Sequence, residues 1–336
     1  MCGQMLSSAE AALACVACNR SFPRTAGIPD LRSAPDEADL ASAHVLAECF
    51  GHLDFAGLVR EGVGSASGPI SRNPVLRERF VARTLGSIGT AAAYVAALES
   101  ERGRRLGRSD CLLELGCGTG ALAAAAAMRG AHVIATDISM RALVLAKKRL
   151  TELRVEDARL ICSDAEERIF PPNSFDVIAA SDVIEHTPRP EVFLATCREL
   201  LAPGGMLFLA TPNRFSLSLE PHVRLWGVGF LPRALATHYV RVIRRVSYDG
   251  VKSLSAPQLR RLLVAQGFES RIIAPEIPVA TQALYRGVEL RLVDSYNRLR
   301  RAALGQAILL AIGPLFHVFA TKPAARGGRV APGVRK

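Results

Sequence analysis

Residues 112–130 read LLELGCGTGALAAAAAMRG: an apolar run carrying one acid, then glycines at 116, 118 and 120, then an alanine-rich stretch closed by Gly130. Few folds accept such a segment. A short apolar run without alternation suits a strand covered on both faces, hence a parallel sheet. Glycines let the chain turn sharply and bring its backbone against a ligand. The alanine stretch is a helix starting at that turn, and Gly130 ends it. Strand, tight turn and helix make the first half of a βαβ unit.

The same rhythm continues to residue 322. AHVIATD, ARLICSDA, FDVIAAS and MLFLATPN read as further buried strands. Ser139 is placed to cap a helix running to Arg154. RPEVFLATCRELL is a helix halted by Ala-Pro-Gly-Gly, and SAPQLRRLLVAQGF is a capped helix ending at Gly267. The expected fold is α/β, a Rossmann-like sheet with helices on both faces. It occupies 108–322. A basic, aromatic-bearing insertion at 214–254 interrupts it. Residues 36–107 read as a helical cap, 1–35 as a separate small segment, and 323–336 as a basic disordered tail.

Composition narrows the class. Apolar residues make up 49% and aromatics only 6%, which fits an Ala/Leu/Val-built α/β protein better than a β-sandwich. The formal charge of +11 is uneven: residues 215–321 carry +8, 322–336 carry +5, and 1–214 about −2. That pattern argues for a local anionic contact, a lipid surface or acidic ligand, and against a nucleic-acid-coated protein; the bland alternative is a solvated basic surface. The start lacks a basic secretion signal, and the cysteines form no extracellular disulfide pattern, so a reducing, cytoplasmic compartment is expected. Ala302–Ala320 is long enough to span a bilayer, but Gln306, His317 and Gly313-Pro314 interrupt it. A buried helix followed by a strand is the better reading.

The glycine turn leaves two ligands open. Gly116-Cys117-Gly118-Thr119-Gly120-Ala121 satisfies the dinucleotide fingerprint, and Asp137 lies 21 residues after Gly116, where that fingerprint expects a ribose-binding acid. An NAD(P) oxidoreductase is therefore a live alternative. Glu114 separates the readings. A carboxylate at the strand end repels a pyrophosphate but suits a ligand with an ammonium and a sulfonium, such as S-adenosylmethionine (SAM). Asp164-Ala165, at the third strand end, adds an acid for an exocyclic amine beside a backbone amide. Each acid alone could simply cap the next helix.

With these motifs in view, residues 110–213 resemble class I SAM-dependent methyltransferases. LLELGCGTG is similar to their glycine motif, VIATDIS to the ribose motif, CSDAEE to the adenine motif, and FDVIAASDVIEHT and LAPGGMLFLATPNR to the fourth- and fifth-strand motifs. The resemblance implies a seven-stranded sheet with its last strand antiparallel. It also implies that Glu114, Gly116, Cys117, Gly118 and Gly120 hold the methionine end. Asp137 and Ile138 would hold ribose and one adenine face, and Asp164 and Ala165 the adenine edge. Ser181 and Asp182 would begin the loop over the methyl.

Methyl transfer to a hydroxyl calls for a base near neutral pKa. His186 in SDVIEHT is the candidate. Asp182, Glu185 and His186 stand at i, i+3 and i+4, so a helical turn would put two carboxylates and an imidazole on one face, fit for a hard divalent cation. This piece is similar to that of ubiquinone-pathway O-methyltransferases. Ser181-Asp182-Val183-Ile184 stands where an Asn/Asp-Pro-Pro-Tyr/Phe motif would mark N-methylation of nucleobases or glutamine. The reading is thus O-methylation of a small molecule; a methyltransferase-fold module binding RNA or protein is the non-enzymatic rival. The insertion, with His222, Trp226, Phe230, His238, Tyr239 and Arg241, Arg244 and Arg245, is expected to be the acceptor lid or a helical pair packed on the core. At the start, Cys15-x-x-Cys18 with Cys2 resembles an incomplete zinc ribbon, for which zinc would be structural.

Overall fold

The structure is a computed structural model describing residues 7–8, 12–15, 20–64, 74–282 and 285–324. Four short strands, β1 (Ser7–Ser8), β2 (Ala12–Ala14), β3 (Ser21–Thr25) and β4 (Ile28–Pro29), form an antiparallel sheet in that order. Ala26 and Gly27 both take positive φ between β3 and β4, the geometry of a two-residue hairpin turn. Cys15 follows β2 and is buried beside Phe22 and Leu31. Cys2, Cys18 and residues 325–336 lie outside the described residues, so the zinc and tail expectations fall there.

Among the described residues the helices α1 (Glu37–Cys49), α2 (Phe55–Gly64) and α3 (Pro74–Arg102) come next. Asp36 caps α1 by accepting from the Ala38 and Asp39 amides. Residues Arg77–Arg102 of α3 are long and apolar enough to cross a membrane by length and composition. Here Val81, Ala91, Val95 and Leu98 of that helix are buried in the core.

The main domain then runs β5 (Cys111–Leu115), α4 (Ala121–Ala127), β6 (His132–Asp137), α5 (Met140–Glu152), β7 (Ala158–Cys162), β8 (Phe175–Ser181), α6 (Pro190–Leu200), β9 (Leu201–Pro212). It continues through α7 (Arg233–Arg244), α8 (Ala256–Ala265), β10 (Glu269–Ile273), α9 (Val279–Gln282), α10 (Val288–Leu299), α11 (Ala303–Ile312) and β11 (Leu315–Thr321). The sheet order is β10-β11-β9-β8-β5-β6-β7, with β11 antiparallel to both neighbours. Alternate residues of β5 serve opposite faces: Leu112 packs under α3–α5, whereas Leu113 and Leu115 pack under α6 and α8. This explains the unbroken apolar run. The chain runs outward from β5 through β6 and β7, then returns to β8, so β5 and β8 flank a topological switch point. Ligands of such sheets bind there, beyond the carboxyl ends of the strands.

Three local expectations need adjustment. Residues 302–320 are a helix followed by a strand, α11 and β11, but α11 is not buried: only Gly305 and Leu309 are, and Leu304 and Ile308 are exposed. Ala-Pro-Gly-Gly does end α6, but it already belongs to β9, where a register irregularity beside Phe175 absorbs it. The insertion is not a helical pair. It has one helix, α7, and a single 3₁₀ turn at Val228–Phe230, closed on a small core of Val223, Leu225, Val228, Ala236 and Val240.

Candidate functional site: a donor cleft and an acceptor pair

The glycine turn is built on three left-handed residues: Gly116, Gly118 and Gly120 have φ of 68°, 51° and 71°. A Cβ on Gly116 would lie 2.3 Å from Val183 Cγ2, and one on Gly120 2.9 Å from Ala146 Cβ. These two glycines let the turn pack against the chain after β8 and against α5. Gly118 differs: nothing lies within 4 Å of its Cβ position, so its backbone lines open cleft. Between them Cys117 is buried; its amide donates to Thr136 O at 2.9 Å, and burial holds its thiol protonated.

Two acids meet at this turn. Glu114 is buried, and its Oε2 has no hydrogen-bond partner among the described residues. Burial is the chief reason that its carboxyl is pushed up to about 8; the Ala123 amide and Arg149 oppose the shift, and Asp137 adds to it. An unpartnered carboxyl in such surroundings costs stability unless a ligand brings a donor or a positive charge. Asp137, ending β6, accepts from Gly118 N at 2.7 Å through Oδ2 and from Ser139 N at 2.8 Å through Oδ1. Burial raises its pKa against those two amides. Each oxygen keeps a further lone pair, enough for the two hydroxyls of a ribose. Ile138 beside it is 60% exposed, an apolar surface for an aromatic ring. At the third strand end Asp164 Oδ1 caps the Glu166 amide at 2.8 Å, and Ala165 packs against the core.

Ser181 ends β8, and the chain then turns through Asp182 at φ 55° into a 3₁₀ turn at Ile184–His186. The expected single face of Asp182, Glu185 and His186 does not form. A left-handed residue followed by a three-residue turn breaks the helical spacing that would align them. Instead the lid supplies the third group. Glu185, His186 and His222 each bring a ligand atom, all within 4.8 Å of one another, and Asp182 is outside this group. His222 Nε2 lies 3.0 Å from His186 Nε2, with the rings edge to face. Its Nδ1 meets Glu220 Oε1 at 2.5 Å.

The electrostatics divide the pair. Burial lowers the His186 pKa, and His222 lowers it further. His222 is raised despite its burial, because Glu220 holds its proton, and Glu220 is lowered in turn. Glu185 is fully buried; burial, reinforced by Asp182, pushes it up to about 7, and Thr211 Oγ1 donates to its Oε2 at 2.9 Å. Burial also raises Asp182, with Arg83, His222 and His186 opposing. Along this chain the proton is favoured on His222, beside the Glu220 carboxylate, over His186. Glu220 and the role of His222 as partner to His186 were not readable beforehand. A Glu-x-His in an insertion carries no signal for which strand end it will meet. Arg244, one of the lid arginines, donates to the Val223 and Arg224 carbonyls and so holds the lid together.

The seven-stranded sheet with one reversed strand, the glycine turn at its switch point and acids at successive strand ends are the arrangement expected of a class I SAM-dependent methyltransferase domain. Residues 113–209 match a protein family described as a methyltransferase domain. Among curated proteins, the ubiquinone biosynthesis O-methyltransferase of Pseudomonas aeruginosa is 39% identical over 155 residues, 43% of this chain and 62% of that protein. That of Thiobacillus denitrificans is 30% identical over 160 residues, 47% of this chain and 64% of that protein. The chain thus spans less than two thirds of these relatives. Of solved structures, phosphoethanolamine N-methyltransferase 2 of Haemonchus contortus in complex with SAM is 18% identical with a TM-score of 0.48, covering 69% of this chain and 52% of that one.

Proposed function

We propose that this chain transfers the methyl group of SAM to an oxygen of a small hydroxylated acceptor. The observation that carries the donor half is the buried Glu114 carboxyl, unpartnered at Oε2, above a glycine turn whose central residue opens on free space. The cofactor would supply an activated methyl on a sulfonium. Glu114 would take its ammonium, Asp137 its ribose, Ile138 a face of adenine, and Asp164 and Ala165 the adenine edge. A pyrophosphate would face the same carboxyl and repel it once ionised, which disfavours a dinucleotide.

The acceptor half rests on His186. Its lowered pKa keeps the imidazole neutral at pH 7, ready to take the acceptor's proton as the O–C bond forms and the C–S bond breaks. A phenol, with a pKa of about 10, is within reach of such a base. The acceptor class is therefore a phenolic hydroxyl, in keeping with the O-methyltransferases among the relatives. His222 then acts as gate, since its Nε2 occupies the position at His186 Nε2 that the acceptor hydroxyl would take.

Metal assistance is a second reading, favoured by the Glu185–His186–His222 cluster. Two imidazoles and a carboxylate suit zinc or another borderline ion better than magnesium, whose preference is for oxygen. Chelator would abolish turnover under this reading and leave it unchanged under the base reading. The exposed Trp226, Phe230, Leu235, Val242 and Ile243 of the lid, set among Arg224, Arg233 and Arg241, favour an apolar acceptor or an anionic membrane surface as the lid's contact. The cytoplasm remains the compartment this reading assumes. The test is methyl transfer from labelled SAM to a catechol: labelled ether supports the reading, and NADH binding without SAM binding contradicts it.

A further inference from the structure

The glycine turn and strand ends do not hold the adenosine loop alone. The chain that leaves the small amino-terminal sheet runs along the edge of β7: Asp30 forms a parallel bridge with Cys162, and Leu31 N donates to Cys162 O at 2.8 Å. This covers an edge that would otherwise be exposed. Arg32, the next residue, is buried with all three guanidinium nitrogens engaged. Nε donates to Asp30 Oδ1 at 2.9 Å, Nη2 to Asp30 Oδ2 at 2.6 Å, and Nη1 to both Asp39 Oδ2 at 3.1 Å and the Ile138 carbonyl at 2.8 Å. Asp39, from α1, reaches the start of α5. Its Oδ1 accepts from the Ser139 hydroxyl at 2.6 Å and its Oδ2 from the Met140 amide at 2.7 Å.

From these contacts we infer that Arg32 and Asp39 are positioning residues for the cofactor, acting through the 137–140 loop; the inference rests on the SAM-binding reading above. The physical reason is a division of labour at that loop. Asp137 must keep its remaining lone pairs turned to the cleft; its carboxylate accepts from the Ser139 amide but, being an acceptor itself, cannot hold the Ile138 carbonyl. Arg32 draws the Ile138 carbonyl away from the cleft, and the Ile138 side chain is left exposed. Asp39 satisfies the first free amides of α5 and fixes where the helix begins. A buried guanidinium fork is suited to hold a carboxylate and a carbonyl in one plane at once, which a lysine could not do. The amino-terminal arm is thereby part of the adenosine site, although it lies outside the matched 113–209 segment.

The test is calorimetric titration of the full chain with S-adenosylhomocysteine, which needs no acceptor. Arg32→Met, which removes the bonds to Asp30, Asp39 and the Ile138 carbonyl together, is expected to weaken binding about tenfold, and Asp39→Asn, which removes only the charge, by a smaller factor. Adenosine alone should lose affinity by the same factor, because the nucleoside end is affected. Arg104→Ala, which removes an ion pair to Asp110 at the opposite end of β5, serves as a control that lowers melting temperature without changing affinity. Should Arg32→Met fail to fold, Asp39→Asn decides. Binding within twofold of wild type in the folded variants overturns the inference. Wild-type protein that takes up no S-adenosylhomocysteine overturns the functional reading beneath it, a different result.

Discussion

The two halves of the cleft are built in opposite ways. In the donor half the acids stand at or just past strand ends, and two of them are held by nearby amides, Asp137 by Gly118 and Ser139 and Asp164 by Glu166, while Glu114 Oε2 has no partner among the described residues. In the acceptor half, the central contact joins His186 to His222, 36 positions away, through an insertion with its own small core. The donor half is chiefly a property of the sheet, with the 137–140 loop braced by Arg32 and Asp39. The acceptor half is a property of how one loop folds over it. A chain of this design can change its acceptor by rewriting the insertion while the donor half stays intact.

This contrast can be broken experimentally. His186→Ala should lower turnover with a catechol by on the order of 10²–10⁴-fold while SAM affinity changes little; steady-state rates set beside calorimetry would check it. A fully active variant removes His186 from the chemistry. Asp137→Ala should do the reverse and weaken SAM binding by on the order of 100-fold, since two ribose contacts to a charged acceptor are lost together. An unchanged affinity refutes the ribose assignment. The pH dependence sharpens the same division. A neutral base must stay deprotonated, so at saturating SAM kcat/KM for the acceptor should hold level through neutral pH and fall as acid protonates His186, below the ordinary imidazole range. Ser139→Ala should give the smallest effect, a loss of about 1 kcal/mol in denaturant unfolding, because it removes the side-chain cap of α5 at Ala142.

Legibility in the sequence follows the same line. The strand–turn–helix unit, the caps at Ser139 and Ser255 and the acids at 114, 137 and 164 are local signals, each fixed by a few neighbouring residues, and the structure has them at the expected strand ends. The face of Asp182, Glu185 and His186 was inferred from helical spacing, and the left-handed Asp182 undoes it. Nothing in a period of three and four announces a positive φ at an aspartate. The Glu220–His222–His186 chain and the Arg32–Ile138 contact, which joins residues 106 positions apart, depend on tertiary packing, for which a single sequence holds no local mark. What was missed is therefore the part of the site made by long-range contacts.

The central claim is that a positively charged nucleoside settles against the buried Glu114 carboxyl. Glu114 stands at about 8 without a ligand, so it is mostly protonated at pH 7. An ammonium beside it favours the ionised form, and binding must then expel the proton. Calorimetric titration with SAM at pH 7 in two buffers of different ionisation enthalpy counts that proton. The account predicts release of about one proton per SAM bound, and its loss in Glu114→Gln. SAM uptake with no proton released, or uptake of NADH in its place, would contradict it.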